Sequence, residues 1–234
     1  MTDAAQGTTL WYLGNLEFFQ DLRESGYHSL ERNSKLVSWA KGQSLSNSLT
    51  TDRVYFIVKG RIEISTYQVS GKKLINDYVG EGGVLGWNAS SPGLVYSSAA
   101  QEAVAFEDTE AVVYDREYFA GMMERRPSVA VSLLRYMGLR QQRIEFRLRS
   151  ILFRTNLCKV AGVILELAES YGIRSEGKII IESGLSQEDI GAMVGLSREE
   201  VTRALTQLRR EGFISNHRRR IEIIDSKGLE ELLE

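Results

Sequence analysis

Hydrophobic and polar residues alternate in short runs over the first half of the chain and repeat at helical spacing over the second half. Up to residue 115, glycines interrupt the apolar segments, which include 54–58 (VYFIV), 61–65 (RIEIS), 72–79 (KKLINDYV) and 111–115 (AVVYD). Short strands bounded by glycine-marked turns are typical of antiparallel sheets. The pattern predicts an antiparallel β-barrel or jelly roll over residues 1–115.

A heptad-like repeat dominates the next segment. Its positions lie alternately three and four residues apart, at Leu134, Met137, Gln141, Ile144, Leu148 and Ile151. This spacing is the seam of a two-stranded coiled coil, and a polar seam residue such as Gln141 fixes register at a cost in stability. The repeat predicts a dimerisation helix and hinge over residues 116–154. The alternative is a single helix packed on its own sheet domain.

Two short helices joined by a glycine are predicted between residues 185 and 208. Ser186 with Asp189 forms a capping-box pattern, Gly195 supplies the turn, and Ser197 caps the second helix. The second helix has an apolar face at Val201, Ala204, Leu205 and Leu208. The opposite face carries Arg198, Glu199, Thr202 and Arg203.

That charged face fits the major groove of DNA. Arginine donates two hydrogen bonds to guanine, glutamate accepts from the cytosine amine, and the first turns of a recognition helix meet the base edges. The pattern therefore predicts a helix-turn-helix whose four exposed residues read bases. The alternative is an ordinary amphipathic helix pair with a solvated charged face.

A basic wing follows the helix pair. Phe213 and Ile214 open a short apolar segment, residues 217–220 (HRRR) form a tip, and alternating isoleucines return at 221–224. A basic tip neutralises phosphates. We predict a winged helix-turn-helix over residues 155–234 with phosphate contacts from Ser197, His217, Arg218, Arg219 and Arg220.

Charge is concentrated in this region. The 234-residue chain has a net charge of −2, but residues 197–220 hold seven arginines against three glutamates, a local charge of +4. A basic patch on an acidic protein confines nucleic-acid contact to one face. An alternative is a ligand-binding module whose winged helix mediates protein contacts.

The composition argues against several other classes. One cysteine, Cys158, and two histidines exclude a disulfide framework, a four-cysteine metal site and a nucleophile–histidine catalytic set. The glycine-rich segment 80–83 (GEGG) lacks the lysine of a phosphate-binding loop. No apolar run is long enough to span a membrane, and the polar start suggests no signal peptide. We expect a cytoplasmic bacterial protein that is not an enzyme.

The order of sheet domain, long helix and winged helix-turn-helix resembles the CRP/FNR superfamily of bacterial transcription regulators over nearly the whole chain. The specific matches are 54–64 (VYFIVKGRIEI), similar to the family's strand–glycine–strand hairpin, and 190–214, similar to the DNA-binding signature of the cyclic-AMP receptor protein. The resemblance implies an α+β fold with a cyclic-nucleotide-binding-like domain. It also implies that Arg198, Glu199 and Arg203 recognise a TGTGA-type half-site, and that a two-fold dimer binds an inverted repeat. Ser186 would contact phosphate, and RNA polymerase would be a further partner.

The effector region departs from this resemblance. Cyclic-AMP binders of the family hold the ribose with Gly-Glu and the phosphate with Arg-Ser, but this chain has Gly86-Trp87 and Ser97-Ser98 there. Ile144-Glu145 replaces the family's adenine-contacting Thr-Ser. Because a buried phosphate needs a paired cation, we expect no dependence on cyclic AMP.

Two interpretations of the effector region stay open. A small organic ligand would fit a pocket in which Arg140 pairs a carboxylate, or the aromatic residues fill the domain and the regulator needs no effector. The candidate pocket residues are Trp87, Tyr96, Ser97, Ser98, Arg140, Gln141 and Ile144.

We expect no metal and no cofactor. A haem-bound gas or redox sensor is a lesser alternative, with His28 and His217 as the histidines available to ligate it. Cys158 is expected to fill apolar space on a helix.

Overall fold

A computed structural model describes residue 19 and residues 30–45, 53–67, 71–86, 101–153, 155–175, 178–182, 184–217 and 220–233. The chain divides into two compact units, Met1–Gly138 and Leu139–Glu234. Within the described ranges, no helix combines the length and the apolar character needed to cross a lipid bilayer. The three-part division at residues 115 and 154 stays a prediction.

The first unit is built on antiparallel sheets. Its described strands are β1 (Lys35–Trp39), β2 (Arg53–Lys59), β3 (Ile62–Tyr67), β4 (Lys73–Val79), β5 (Val84–Leu85), β6 (Gln101–Ala105) and β7 (Thr109–Asp115). They form one sheet in the order β1-β7-β2-β5 and another in the order β4-β3-β6. The described strands thus form two sheets that do not close into a barrel. Of the two predicted forms, the jelly roll is therefore the one that the structure confirms.

Strand β2 shows why its sequence is a continuous apolar run. Tyr55 and Ile57 face a core shared with Ile62 and Ile64 of the other sheet. Val54 and Phe56 point to the opposite side and join a second core. A strand buried on both faces needs apolar residues at every position, so strict alternation is lost.

The second core of the first unit lies against helix α1 (Arg116–Arg125) and the start of helix α2 (Pro127–Phe153). The Phe56 ring meets those of Tyr114 and Phe119 edge-on, with centroids 5.9 and 5.3 Å apart. The break between the helices falls at Arg126, because the residue before a proline is disfavoured in helical geometry. Aromatic packing therefore holds helix α1 on the sheet.

The strand–glycine–strand hairpin depends on Gly60. Its φ is +79°, and a Cβ at this position would lie 2.4 Å from the Asp108 carbonyl oxygen. Only glycine accepts both the backbone conformation and the close approach.

The second unit combines helices with a four-stranded sheet. After α2 come α3 (Asn156–Tyr171), β8 (Gly172–Ser175), β9 (Lys178–Ile181), α4 (Gln187–Val194), α5 (Arg198–Arg210), β10 (Ile214–His217), β11 (Arg220–Ile223) and α6 (Ser226–Glu231). The strands lie in the order β10-β11-β9-β8. The predicted wing is thus the β10–β11 hairpin, extended by β9 and β8.

Helix α3 is the centre of this unit. It contacts α4, α5 and α6. Its buried face consists of Val160, Ala161, Gly162, Val163, Ile164 and Leu167. An apolar stripe at helical spacing packs against several neighbours at once, so α3 supports the helix pair that follows it.

Candidate nucleic-acid interface

Helices α4 and α5 begin where the sequence predicts, and each start is a complete capping box. At α4, Ser186 Oγ accepts from the Asp189 backbone N–H at 3.1 Å, and the Ser186 N–H donates to the Asp189 carboxylate at 2.8 Å. At α5, Ser197 and Glu200 repeat the pattern at 3.3 and 2.8 Å. The reciprocal bonds satisfy otherwise orphaned N–H groups and fix both helix starts.

The turn between the two helices is closely packed. Gly195 has a φ of +75°, the left-handed conformation that glycine adopts without strain. Gly191 lets the turn approach α4, because a Cβ there would lie 2.6 Å from the Leu196 carbonyl oxygen. The Leu196 N–H donates to the Gly191 carbonyl at 2.9 Å. The angle between the helices is therefore set by backbone contact.

Helix α5 divides into a buried and an exposed face as predicted. Val201, Ala204, Leu205 and Leu208 are buried. Arg198, Glu199, Thr202 and Arg203 are all exposed. The side chains of Arg198, Glu199 and Arg203 form no hydrogen bond or ion pair with the described part of the chain. These three side chains are therefore available to an outside partner.

Thr202 differs from the other three residues of this face. Its hydroxyl lies 2.6 Å from Gln187 Oε1 on α4 and 2.8 Å from the Arg198 carbonyl oxygen. The sequence indicated the position of Thr202 but not this contact, because its partner lies on a different helix.

Glu200 links α5 to α3. Hydrogen bonds from the backbone and hydroxyl of Ser197 hold the pKa of this carboxyl below its ordinary value, with smaller contributions from Asn156 and the charge of Arg203. Asn156 Nδ2 donates to Glu200 Oε1 at 3.0 Å. No local pattern predicts this contact, because its two residues lie 44 positions apart.

The predicted phosphate contacts fall in three groups. The hydroxyls of Ser186 and Ser197 both lie within hydrogen-bond distance of the carboxylate of their own box, at 2.8 and 2.9 Å. Arg220 forms ion pairs with Glu182 at 3.4 Å and Glu222 at 3.0 Å. Arg218, Arg219 and the His217 side chain lie outside what the structure describes.

The seam of α2 is exposed within the chain. Leu134, Ile144 and Leu148 are 68%, 51% and 53% exposed. Met137 and Gln141 are exposed too, and Gln141 Nε2 donates to Glu145 Oε1 at 2.9 Å. The Ile151 side chain is outside the described part. These apolar side chains remain largely in contact with solvent in a single chain.

The predicted effector pocket cannot be assembled from the described residues. Trp87, Tyr96, Ser97 and Ser98 lie outside them, as does His28. On α2, Arg140 is half-buried, whereas Gln141 and Ile144 are exposed. The pocket and its ligand stay predictions. Among the described residues, no group of three or more histidine, cysteine or acidic side chains is arranged to hold a metal ion.

Cys158 lies in the first turn of α3 and is half-buried. Its N–H donates to the Thr155 hydroxyl oxygen at 3.3 Å, and that hydroxyl donates to Cys158 Sγ at 3.1 Å. Cys158 is therefore part of a helix cap.

The second unit also contains features without a sequence signal. Arg147 on α2 forms an ion pair with Glu166 on α3, both largely buried. Beside this pair is a groove of about 700 Å³ whose apolar walls include Leu139, Phe146 and Ile179. Contacts between elements far apart in sequence carry no local pattern, so neither feature was predicted.

Comparison with known families identifies two parts of the chain. A cyclic nucleotide-binding domain model matches residues 36–126, and a Crp-like helix-turn-helix domain model matches residues 158–232. The second match contains both capping boxes, the turn and the wing.

Curated relatives cover most of the chain. A CRP-like cAMP-activated global transcriptional regulator of Mycobacterium tuberculosis is 27% identical over 219 residues, which are 93% of this chain and 96% of the relative. A global nitrogen regulator of Synechococcus elongatus is 28% identical over 76% of this chain and 80% of its own length.

Solved structures share the fold. A CooA mutant from Carboxydothermus hydrogenoformans has a TM-score of 0.76 at 18% identity, covering 94% of this chain and 96% of its own. A CRP/FNR-family transcriptional regulator from Thermus thermophilus has a TM-score of 0.61 at 26% identity, covering 85% of this chain and 98% of its own.

Proposed function

The chain belongs to the CRP/FNR superfamily of bacterial transcription regulators, and from this membership we propose that it binds, as a homodimer, an inverted repeat with TGTGA-like half-sites. The observation that carries this proposal is the exposed face of α5. There Arg198, Glu199 and Arg203 form no hydrogen bond or ion pair with the described residues, on a helix held by its capping box and a close turn.

Each side chain of this face has a chemical role in the proposal. Arg198 and Arg203 donate to guanine O6 and N7, and Glu199 accepts from a cytosine amine. Arg198 and Glu199 occupy the first turn, where recognition helices approach base edges, and Arg203 continues the same face. Thr202 lies between these positions. Because its hydroxyl is already hydrogen-bonded, its methyl group is the part of the side chain that remains available to a base.

The phosphate contacts supply affinity without sequence preference. We assign the largest share to Arg218 and Arg219 at the wing tip. Arg220 contributes less, because Glu182 and Glu222 already neutralise part of its charge. His217, Ser186 and Ser197 complete the proposed set.

The seam of α2 pairs two copies of the chain. Its exposed leucine, isoleucine and methionine side chains would leave water on pairing, at a gain of roughly 25 cal/mol per Å² of apolar surface buried. Within the first unit, the 68% exposure of Leu134 supports this assignment over packing on the chain's own sheets. A dimer also matches the symmetry of an inverted repeat.

We propose that cyclic AMP is not the effector. Trp87, Ser97 and Ile144 replace residue types that hold the nucleotide in cyclic-AMP-binding members of the family. The regulator then works either without an effector or with a different small ligand, and without catalytic activity. RNA polymerase is the proposed further partner, and the cytoplasm is the proposed compartment.

Fluorescence anisotropy tests the proposal. A labelled TGTGA-spacer-TCACA duplex and a scrambled duplex are titrated with the protein at one physiological salt concentration, with no effector added. We expect binding to the inverted repeat to be at least about 1,000-fold tighter. Weak and equal binding to the two duplexes would contradict an effector-independent reader of this sequence.

A further inference from the structure

The Thr202 hydroxyl forms hydrogen bonds within the helix pair, unlike the side chains of its charged neighbours on the exposed face of α5. Its Oγ1 atom lies 2.6 Å from Gln187 Oε1 and 2.8 Å from the Arg198 carbonyl oxygen. A hydroxyl has one proton to donate, and both neighbouring atoms are acceptors. The donor of Thr202 is therefore used within the protein, and a base would have to displace an existing partner to receive it.

The contact between Thr202 and Gln187 joins the two helices on the exposed side of α5. Gln187 is the first residue of α4 and follows the capping serine, so its backbone position is fixed by the Ser186–Asp189 box. Thr202 is in the second turn of α5, four residues after Arg198 and one before Arg203. The two helices also meet at the turn beside Gly191 and through their buried apolar residues.

The roll of α5, meaning its rotation about its own axis, determines the positions of the tips of its exposed side chains. An α-helix with side chains is 10–12 Å across, so a roll of roughly 10° moves their tips by about 1 Å. A recognition site has to be held within about 0.5 Å and 10–20° to work well. Apolar packing on the buried face tolerates small rolls, because dispersion contacts are not directional, whereas a hydrogen bond at 2.6 Å does not.

We propose that Thr202 is a positioning residue: its hydrogen bond with Gln187 sets the roll of α5 and so determines how sharply Arg198, Glu199 and Arg203 discriminate bases. This inference rests on the proposed function. Thr202 still offers its methyl group to a base, and methyl–thymine contact is a recognised mode of readout. The hydroxyl, however, acts through the helix.

The test compares Thr202→Val with Thr202→Ser. Valine replaces the hydroxyl by a methyl group of similar size, and serine keeps the hydroxyl but removes the methyl. Gln187→Leu removes the partner from the other side. Each variant is titrated against the inverted repeat, the scrambled duplex and a series of duplexes that carry single base-pair changes, and its thermal unfolding is recorded.

We expect Thr202→Val to lower discrimination by about 3- to 10-fold, the size of one net hydrogen bond, spread over every base pair that α5 reads. Gln187→Leu should reproduce this profile, and the double variant should be no worse than either single one, because both remove the same interaction. Thr202→Ser should retain the wild-type discrimination at the base pairs that α5 reads, except at a thymine that the methyl group contacts, where the loss should be confined to that one base pair. Binding of the scrambled duplex by Thr202→Val should be unchanged.

Several results would overturn the inference. A loss confined to one base pair would make the Thr202 hydroxyl a direct base contact. If Thr202→Val unfolds at a lower temperature but keeps full discrimination, the hydrogen bond has a structural role only. If Gln187→Leu keeps wild-type discrimination, Gln187 is not the residue through which Thr202 acts. Wild-type protein without any sequence preference would instead contradict the proposed function, and the inference would fall with it.

Discussion

Helices α2 and α5 each leave one face exposed, and the chemistry of the two faces is opposite. The face of α2 is apolar, with Leu134, Ile144 and Leu148 largely in solvent. The face of α5 is charged and holds Arg198, Glu199 and Arg203. Apolar surface gains by leaving water against any matching apolar surface, whereas charged groups exchange water only for groups that return their hydrogen bonds. One face thus suits a second copy, and the other suits DNA.

The two faces also differ in how firmly contacts with the rest of the protein hold them in place. Helix α5 is fixed by its capping box, by the close turn at Gly191, and by Asn156 and Gln187 from the helices around it. Among the seam side chains that the structure describes, the one hydrogen bond is local, from Gln141 to Glu145. A reader of bases needs preorganised side chains, while an apolar seam can adapt to its partner. Substitutions on each face should therefore have different signatures.

The largest effect is expected from a charge in the seam. Leu148→Asp would bury a carboxylate in each half of the dimer, so we expect the dimer dissociation constant to rise by at least about 100-fold, or about 3 kcal/mol. Sedimentation velocity over a concentration series measures this change. Arg135→Asp, an exposed charge reversal off the seam, is the matched control and should leave the dimer intact. A fully dimeric Leu148→Asp protein would place the interface elsewhere.

Gly191→Ala should disrupt the closely packed turn that positions α5. The added Cβ would lie 2.6 Å from the Leu196 carbonyl oxygen, which is backbone and cannot swing away. We expect a loss of about 1–3 kcal/mol in the free energy of unfolding, measured by urea denaturation. Gly138→Ala is the control, because nothing lies within 4 Å of a Cβ there. It should be neutral or stabilising, since alanine favours a helix. Equal effects of the two changes would show that the turn is not closely packed.

Arg203→Ala should remove one base contact from the charged face. We expect a loss of about 1–3 kcal/mol on the inverted repeat and weaker discrimination at one base pair, with little change on scrambled DNA. Anisotropy titrations with single-substitution duplexes measure both quantities. Equal losses on operator and scrambled DNA would assign Arg203 to phosphate.

Arginines of the wing should affect all DNA sequences alike. Arg219→Ala should weaken operator and scrambled duplexes equally and reduce the salt dependence by about one unit of slope. Arg220→Ala should have a smaller effect, because Glu182 and Glu222 already pair with Arg220. Titrations at several salt concentrations compare the two variants. A larger effect from Arg220 would contradict the proposed division of roles.

The smallest effect concerns the pH dependence of the α5 cap. The pKa of Glu200 is lowered in the folded chain, chiefly by the Ser197 backbone hydrogen bond. Its contribution to stability is therefore complete above the ordinary carboxyl pKa of about 4.3 and is lost as the pH falls through the lowered value. Urea unfolding of wild type and Glu200→Gln should differ at pH 7 and converge toward pH 3. Glu199→Gln, which lacks the cap contacts, should show no such trend, and a constant Glu200→Gln difference would contradict the cap.

Local patterns predicted most of the framework. Glycine-bounded apolar runs predicted strands, and the Ser186–Asp189 spacing and Ser197 predicted the starts of α4 and α5, because these signals act within a few residues. The contacts that orient the site were not predictable in this way. Thr202 meets Gln187, Asn156 meets Glu200 and Arg147 meets Glu166 only after the helices have packed. The β8–β9 hairpin widens the wing through the pairing of β9 with β11, which lie far apart in the sequence.

The central claim is that the α2 face pairs two chains and the α5 face reads DNA. Its most direct test uses three duplexes: the full inverted repeat, the same duplex with one half-site scrambled, and a fully scrambled duplex. Wild-type binding is measured by anisotropy at one physiological salt concentration, with the stoichiometry of each complex from sedimentation. The account predicts two chains on the full repeat, with affinity falling from the full repeat to the half-site duplex and again to the scrambled one. One chain per duplex, or equal affinity for the full and half repeats, would contradict a paired reader of DNA.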